Sequence, residues 1–377
     1  MAGIYLHIPF CRKLCYYCDF HFVATLKYKE PMLKALKREI ELRSHEWKDE
    51  LFQTVYFGGG TPSVLSVEEL KSLFVAIEEN FQVADDAEIT LEANPDDLNG
   101  EYLAQLANET PLNRLSIGIQ SFSDSDLQFM NRRHTAAEAV QAVINAQQAG
   151  FYNLNIDLIY AVPGLSLEQW ENNINTFLEL KIPHLSAYHL GIEPKTVFDY
   201  LRRKNKISAV DEAVSQQHYQ LLTNLMCKNH FQHYEISNFA LEGYYSKHNN
   251  GYWKGHKYIG IGPSAHSYNG FRRSWNVSNN TLYCQSLLEG IGNHVSGETI
   301  DETMAYNEYM LTSLRTSQGA SFTDIGRVFG AEKLTHTRNI LQALAPGGNL
   351  ILTDSGFSIK EHAWLVSDTL ISEFFIT

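Results

Sequence analysis

The chain has 377 residues and a formal net charge of −13 at pH 7. Its length supports a large core with a smaller appended unit, and its acidic balance excludes an electrostatic grip on nucleic-acid phosphates. With three clustered and two isolated cysteines, the disulfide framework of a small secreted protein is also excluded. Because we find no basic leader and no uncharged apolar run of about 18 residues, we expect a cytoplasmic protein without a transmembrane segment.

Short β-branched or aromatic runs alternate with longer helical patterns in the first half of the chain. The segment 30–44 repeats apolar residues at the spacing of one buried helix face, and the helical pattern 135–149 is followed by Gly150, a helix stop. This alternation predicts an α/β fold with a parallel sheet. The six predicted strands lie near residues 3–8, 54–60, 88–93, 114–120, 154–160 and 184–190.

The pattern changes after residue 230. An aromatic, Gly- and Asn-rich stretch continues to about 280, and helices resume near 300, followed by a predicted hairpin in GGNLILTDSGFSI and a last helix at 361–375. We predict three units: a core over 1–230, a segment over 231–300 that packs on the core, and a C-terminal α+β domain over 301–377. The last unit has a winged-helix-like character.

Three cysteines follow the first predicted strand, in the run HIPFCRKLCYYCDF, at Cys11, Cys15 and Cys18. Thiolates select iron–sulfur clusters, zinc or Cu(I), and ferredoxin-type runs supply four cysteines to a cubane. Three cysteines would leave one iron open to a substrate or cofactor. The alternatives are a zinc site, completed by His7, and three unrelated buried thiols.

The stretch YLHIPFCRKLCYYCDF closely resembles the cluster loop of radical S-adenosylmethionine (SAM) enzymes, in the branch related to oxygen-independent coproporphyrinogen III oxidase. The resemblance implies a [4Fe-4S] cluster held by the three cysteines, with SAM on the open iron. It also implies a partial, TIM-like (β/α)6 barrel whose site lies at the carboxyl ends of the strands.

Polar residues at later strand ends match the same family one by one. The run GGGTP places Gly59, Gly60 and Thr61 after the second strand, where glycine allows close approach of a ligand to the backbone, and the resemblance assigns them the methionine end of SAM. It places Tyr5 against the sulfonium, whose charge an electron-rich ring attracts. Carboxylates can accept bonds from ribose hydroxyls or an ammonium group, and arginine can clamp a carboxylate. The other positions assigned in this way are Tyr17, Glu92, Gln120, Arg132 and Asp157.

Two features separate the chain from the oxidase. The oxidase has CxxxCxxCxC, and here Phe20 takes the last position; residues 248–253 form HNNGYW, an HNxxYW motif. YEISNFA precedes this motif and YIGIGPSAHS follows it. With these segments, the chain resembles the haem chaperone branch, HemW, from end to end. Arg12 stands where that branch often has proline, a change that removes no ligand.

The HNxxYW motif implies a haem ligand at His248. Imidazole is a common axial ligand of haem iron, and Tyr252 and Trp253 offer flat apolar surface to a macrocycle. The alternative is a packed, hydrogen-bonded histidine without iron. His256 and His266 are close in sequence, and each is either a second ligand or a bystander.

From this resemblance we predict a haem chaperone that binds haem and a SAM-ligated [4Fe-4S] cluster and transfers haem to acceptor proteins, with respiratory-chain haemoproteins as candidate acceptors. The alternative from the enzyme class is oxidative decarboxylation of coproporphyrinogen III to protoporphyrinogen IX. A third possibility is an iron–sulfur protein that binds no porphyrin. The sequence leaves open whether the protein is an enzyme and whether SAM is cleaved.

Overall fold

The computed structural model describes residues 2–208 and 211–376. The strands are β1 (Ala2–Ile8), β2 (Leu51–Gly59), β3 (Gln82–Ala93), β4 (Arg114–Gln120), β5 (Leu154–Tyr160), β6 (His184–His189), β7 (Gln232–Glu235), β8 (Asn238–Ala240), β9 (Lys257–Ile261), β10 (His266–Tyr268), β11 (Arg272–Asn276), β12 (Val295–Thr299), β13 (Ala320–Ser321), β14 (Leu350–Leu352) and β15 (Gly356–Ile359). The helices are α1 (Lys29–Arg43), α2 (Val67–Asn80), α3 (Gly100–Glu109), α4 (Asp124–Phe129), α5 (Ala136–Gln148), α6 (Leu167–Glu179), α7 (Val197–Arg203), α8 (Glu212–Lys228), α9 (Lys247–Trp253), α10 (Asn280–Glu289), α11 (Glu302–Ser313), α12 (Phe322–Asp324), α13 (Gly330–Leu344) and α14 (Ser367–Ser372).

The main sheet has twelve strands in the order β12-β11-β10-β9-β1-β2-β3-β4-β5-β6-β8-β7. Strands β1 to β6 run parallel to one another, and β9 joins them in parallel beside β1. The six strands predicted from the sequence are β1 to β6, so the predicted α/β fold is confirmed. Within the described residues the sheet does not close on itself, as expected of a partial barrel.

The helices begin where the sequence supplies caps. Capping boxes start α2 at Ser66, α5 at Thr135 and α6 at Ser166, each closed by Glu or Gln three residues later. The predicted helices 30–44 and 135–149 are observed as α1 and α5. Helices α2 and α6 follow strands β2 and β5, and α5 follows β4 with α4 between them, so that each packs back over the sheet and buries its apolar face there.

The segment 231–300 extends the sheet at both of its edges. Strand β8 pairs antiparallel with β6 on one side, and β9 pairs with β1 on the other, followed by β10 to β12. Helix α9 lies between these two groups of strands in the sequence. The segment is therefore continuous with the sheet rather than a layer on its face, while the domain limits at 230 and 300 stay predictions.

The C-terminal part contains α11 to α14 and a separate three-stranded sheet in the order β13-β15-β14. The predicted hairpin is present as antiparallel β14 and β15. The predicted helix over 361–375 is shorter, because residues 361–366 form a 3-10 helix before α14. The order of helix, strand, two helices and hairpin has the expected winged-helix-like character. No helix in the described part of the chain is long and apolar enough to cross a membrane.

Candidate functional site

Parallel pairing brings the carboxyl ends of β1 to β5 to one edge of the sheet, which we call the cofactor edge. In the register of β1 and β2, Ile8 lies opposite Gly59, so the loop with the three cysteines and the GGGTP run start side by side. Glu92 lies near the end of β3 and Gln120 ends β4. The topology therefore gathers the predicted cofactor residues from separate parts of the chain, as a parallel sheet requires of its ligand site.

The cysteine sulfurs meet hydrogen-bond donors from the segments that follow β2 and α4. The Thr61 hydroxyl donates to Cys11 Sγ over 3.3 Å, and Arg132 Nη1 donates to Cys15 Sγ over 3.3 Å. Burial raises the pKa of Cys11 to about 11 and that of Cys18 to about 12. Metal binding would have to displace these protons, and donors aimed at sulfur favour the charged thiolate. This donor set fits an iron–sulfur cluster.

No three His, Cys, Asp or Glu side chains within 2–208 and 211–376 are placed to hold a single metal ion. A cubane attaches each cysteine to a different iron, so its three ligands are not required to meet at one point. All five cysteines, including Cys227 and Cys284, are free thiols.

The glycines after β2 are required by close packing against β1 and the cysteine loop. Gly59 has φ +112°, and a Cβ atom there would lie 2.7 Å from Nδ1 of His7. At Gly60 a Cβ would lie 2.7 Å from the backbone oxygen of Phe10, whereas the Gly60 N–H donates to the Ile8 carbonyl over 2.9 Å. Glycine therefore fixes the position of the cysteine loop here, besides leaving backbone accessible to a ligand.

Arg132 joins the cysteine loop to the ends of β3 and β4. Its Nη2 donates to Asn94 Oδ1 over 2.8 Å and to the Gly118 carbonyl, and its Nη1 lies 3.5 Å from the Tyr17 hydroxyl. Among the residues that the structure describes, the buried Nε atom has no hydrogen-bond partner. Gln120, two residues after Gly118, has the left-handed φ of +74°, a strained angle typical of ligand sites.

Two carboxyl groups, near the end of β3 and within β5, have raised pKa values. Burial raises the pKa of Glu92 to about 7 and that of Asp157 to about 6. Glu92 Oε1 accepts a hydrogen bond from the Tyr56 hydroxyl over 2.8 Å, and Asp157 Oδ1 accepts one from Asn155 over 2.9 Å. Carboxylates in this setting can accept hydrogen bonds from ligand hydroxyl or ammonium groups, and a bound ammonium would lower their pKa values again.

A cavity of about 350 Å³ opens at the cofactor edge. Tyr5, Gly59 and Glu92 line it, together with His266 and the exposed Phe20. The cavity therefore unites three of the residues predicted to bind SAM, whereas Arg132 contacts the cysteine loop instead.

His248 is buried, with 4% of its surface exposed, and both ring nitrogens are hydrogen-bonded. Nδ1 pairs with the Thr54 hydroxyl at 2.7 Å and Nε2 with the Tyr252 hydroxyl at 2.8 Å. Its ring stacks on Tyr56 at a centroid distance of 4.9 Å, and burial lowers its pKa to about 3. In this arrangement no nitrogen is free for iron, so the role of haem ligand stays a prediction that requires Tyr252 to move.

Sequence reasoning missed the residues that hold α9 against the sheet. The Glu88 carboxylate accepts the backbone N–H groups of Lys247 and His248, each over 3.1 Å, at the first turn of α9. Thr54 and Tyr56 face His248 from the same side of β2. The available signal was their i, i+2 spacing, which places both side chains on one face of a strand.

Comparison with known proteins places these features in a family. Residues 5–177 match the model of the radical SAM superfamily. A relative from Lactococcus lactis, heme chaperone HemW, is 34% identical and the match covers 96% of this chain and 95% of that protein. The heme chaperone HemW of Bacillus subtilis is 33% identical, with 99% of each chain covered.

Among solved structures, coproporphyrinogen III oxidase (HemN) from Escherichia coli superposes with a TM-score of 0.83 at 24% identity, covering 99% of this chain and 89% of that one. At this level of identity the likeness shows the shared fold. Together with the near-complete match to two curated relatives above 30% identity, we conclude that this chain belongs to the haem chaperone HemW family of the radical SAM superfamily.

Proposed function

We propose that the protein is a haem chaperone that binds haem and transfers it to acceptor proteins, with a [4Fe-4S] cluster and SAM as resident cofactors. The two relatives that align with this chain over nearly their entire lengths are both named heme chaperone HemW. The observation that carries the proposal is the contact between the HNxxYW helix and the cofactor edge. His248 stacks on Tyr56, and the Tyr56 hydroxyl bonds to Glu92.

In this proposal Cys11, Cys15 and Cys18 hold the cluster, while Thr61 and Arg132 orient the sulfurs through the hydrogen bonds described above. When bound, the cluster and SAM supply one-electron chemistry. The chain's own residues bind and orient the nucleoside and amino-acid parts of SAM. The residues proposed for this role are Tyr5, Tyr17, Gly59, Gly60, Thr61, Glu92, Gln120, Arg132 and Asp157.

We also propose a cytoplasmic location and respiratory-chain haemoproteins as acceptors, since a reducing compartment suits free thiols and an oxygen-sensitive cluster. His248 is kept as a haem ligand for a state in which the Tyr252 hydroxyl has released its Nε2 atom. The three segments 1–230, 231–300 and 301–377 are proposed as the radical SAM core, the aromatic HNxxYW segment that packs on it, and the C-terminal domain.

The test uses the full chain with its cluster reconstituted without oxygen. Hemin is added, free hemin is removed by desalting, and the Soret band is recorded before and after addition of a b-type apocytochrome. We expect a retained band that moves to the apocytochrome, and a change in transfer rate when SAM is omitted. Absence of any retained hemin would overturn the proposal.

The alternative activity, conversion of coproporphyrinogen III to protoporphyrinogen IX, is measured with the same preparation, SAM and a one-electron reductant. We expect none, because the exposed Phe20 takes the position of the oxidase's further cysteine. Turnover at rates of about 1 s⁻¹ or more, ordinary for enzymes, would rank the oxidase first.

A further inference from the structure

A second and larger cavity lies between the main sheet and the C-terminal part. This cleft has a volume of about 1200 Å³, above the about 300–1,000 Å³ of usual small-molecule sites. The 350 Å³ cavity at the cofactor edge is much smaller and contains the residues proposed for SAM. A flat macrocycle therefore has space in the cleft without competing with SAM.

Aromatic rings from three parts of the fold form the wall of the cleft: α9, the strands β9 and β10, and the C-terminal part. Aromatic faces bury large apolar area and stack on flat ligands. The rings of this wall include those of Tyr252, Trp253, Tyr258, Tyr268, Tyr309 and Phe329. Such a surface suits a porphyrin, whose two faces are apolar and whose edge carries carboxylates.

His256 lines the cleft directly after α9. Its backbone N–H donates to the Gly251 carbonyl over 2.9 Å, which fixes the turn. Neither ring nitrogen is engaged in a hydrogen bond with any residue of the described ranges, in contrast to His248, where both are. Burial lowers the pKa of the His256 imidazole, and neutral imidazole is the form that binds iron.

An exposed cation, two residues before this histidine, also lines the cleft. Lys254 is exposed and makes no ion pair among residues 2–208 and 211–376, whereas Arg273, the other basic residue of the wall, is paired with Glu308 and with Glu298. The carboxylates of the wall are likewise paired, since Asp324 binds Arg327. Lys254 is thus the cation available to a ligand carboxylate.

From these observations we infer that the cleft is the haem-binding site and that His256 supplies the iron ligand, with Lys254 near a propionate. The inference rests on the proposed function and names its site. It differs from the family motif, because His256 lies three residues beyond the end of HNNGYW.

The cleft adjoins the cofactor edge through one residue pair. Tyr252 and Tyr258 line both cavities and meet edge to face at a centroid distance of 4.7 Å. The Tyr252 hydroxyl also holds His248. Haem bound against this face would therefore contact Tyr252 and Tyr258, which separate the cleft from His248 and the cofactor residues. Movement of Tyr252 would expose His248 to the cleft.

The experiment compares His256→Ala, His248→Ala and His45→Ala in the full, cluster-loaded protein. His45 is an exposed histidine outside both cavities and serves as the matched control. We expect hemin affinity to fall about tenfold or more in His256→Ala, with loss of the imidazole-ligated Soret and electron-paramagnetic-resonance signatures, and added imidazole to restore both. His45→Ala should match the parent protein.

The outcomes separate the two hypotheses. Failure of the unsubstituted protein to retain hemin overturns the proposed function. If it retains hemin and His256→Ala has the same spectrum and affinity at equal cluster content, only the assignment of His256 is overturned. Loss of ligation in His248→Ala alone would assign the ligand to His248 and contradict the inference.

Two probes test the cleft apart from the ligand. Metal-free protoporphyrin IX should quench tryptophan fluorescence in His256→Ala as in the parent, and this quenching should be reduced in Trp253→Phe. Lys254→Ala should weaken hemin binding but leave binding of hemin dimethyl ester unchanged, because the ester lacks the negative charges. Equal quenching in Trp253→Phe, or equal losses for both forms of hemin, would contradict the assigned cleft and propionate contact, respectively.

Discussion

The cofactor edge and helix α9 hold their chemically active side chains in opposite ways. At the cofactor edge, Glu92 lines a cavity beside the cysteine loop, and donors such as Thr61 point at sulfur atoms that a cluster would use. On α9 the motif histidine is enclosed, with Thr54 and Tyr252 occupying both nitrogens. The free imidazole, His256, lies just outside the motif.

A sequence motif therefore indicates which residues come together in the fold, but it does not indicate which of their side chains a ligand can reach. Strand ends are accessible by construction, because a parallel sheet directs them to one edge. A short helix can turn its histidine toward the sheet or toward a cleft, and here the stacking on Tyr56 and the capping by Glu88 fix the inward orientation.

We expect the greatest loss from a substitution that removes a cluster ligand at the cofactor edge and leaves α9 unchanged. Cys15→Ser should abolish the cluster, because serine replaces a soft thiolate that also receives the bond from Arg132. Iron and acid-labile sulfide per chain should fall to background, as measured chemically after anaerobic reconstitution. Cys227→Ser, at an exposed free thiol, is the control and should keep full content. Equal cluster content in both variants would contradict the ligand assignment.

A second substitution displaces the cysteine loop without removing any of the three cysteines. In Gly60→Ala the new methyl group would meet the Phe10 carbonyl at 2.7 Å, so we expect a loss of about 1–3 kcal/mol in the free energy of unfolding and weaker cluster retention. Denaturant unfolding of the apoprotein measures the first effect. Gly100→Ala has open space around its Cβ position and should change stability little. A Gly60→Ala protein as stable as the parent would show that the loop is not held by this contact.

A third prediction concerns two buried carboxyl groups, Glu235 and Glu92, whose pKa values are raised to the same extent. Burial raises the pKa of Glu235, in β7 beside the cleft, to about 7, as it does for Glu92 at the cofactor edge. The native state keeps the proton up to about pH 7, whereas the unfolded chain loses it near 4.5. The native state therefore binds more protons between these values, and stability from this group falls as pH rises through that range.

Glu235→Gln should accordingly leave stability unchanged below pH 4.5 and raise it above pH 7, by at most about 3.5 kcal/mol at about 1.4 kcal/mol per pKa unit. Asn238 can turn its amide to accept from the new side chain, since its Oδ1 atom has no partner in the described structure. Thermal unfolding at pH 4.5 and 8 measures the difference. Glu92→Gln should show the same pH pattern but weaken SAM binding, and a pH-independent gain in Glu235→Gln would refute the buried-charge explanation.

The last and mildest substitution acts on Tyr252, which separates the cofactor edge from the cleft. Tyr252→Phe removes the hydroxyl that bonds to His248 Nε2, and an unpaired buried nitrogen costs about 1–3 kcal/mol of stability. It should also make His248 available, adding a second imidazole signature to the hemin complex. Tyr258→Phe keeps the ring contact and the His248 bond, and is the control. An unchanged hemin spectrum in Tyr252→Phe would show that the hydroxyl does not restrain His248.

Much of the fold was predictable because its signals are local. Alternation of β-branched runs with helical patterns predicted β1 to β6, and the helices began at Thr135 and ended before Gly150 where the sequence supplies a cap and a stop. The outer strands β7 to β12 were not predicted, because they are short and their hydrogen bonds depend on the exposed edges of β6 and β1.

The superfamily could be inferred from the primary structure, since the spacing of Cys11, Cys15 and Cys18 and the GGGTP run are contiguous patterns that no distant contact can alter. Accessibility, in contrast, depends on the folded arrangement. His248 is enclosed by Thr54, far away in the chain, and His256 faces a cleft that exists only where the C-terminal part approaches the sheet. Burial and free coordination positions arise from contacts between remote segments, so a local pattern does not determine them.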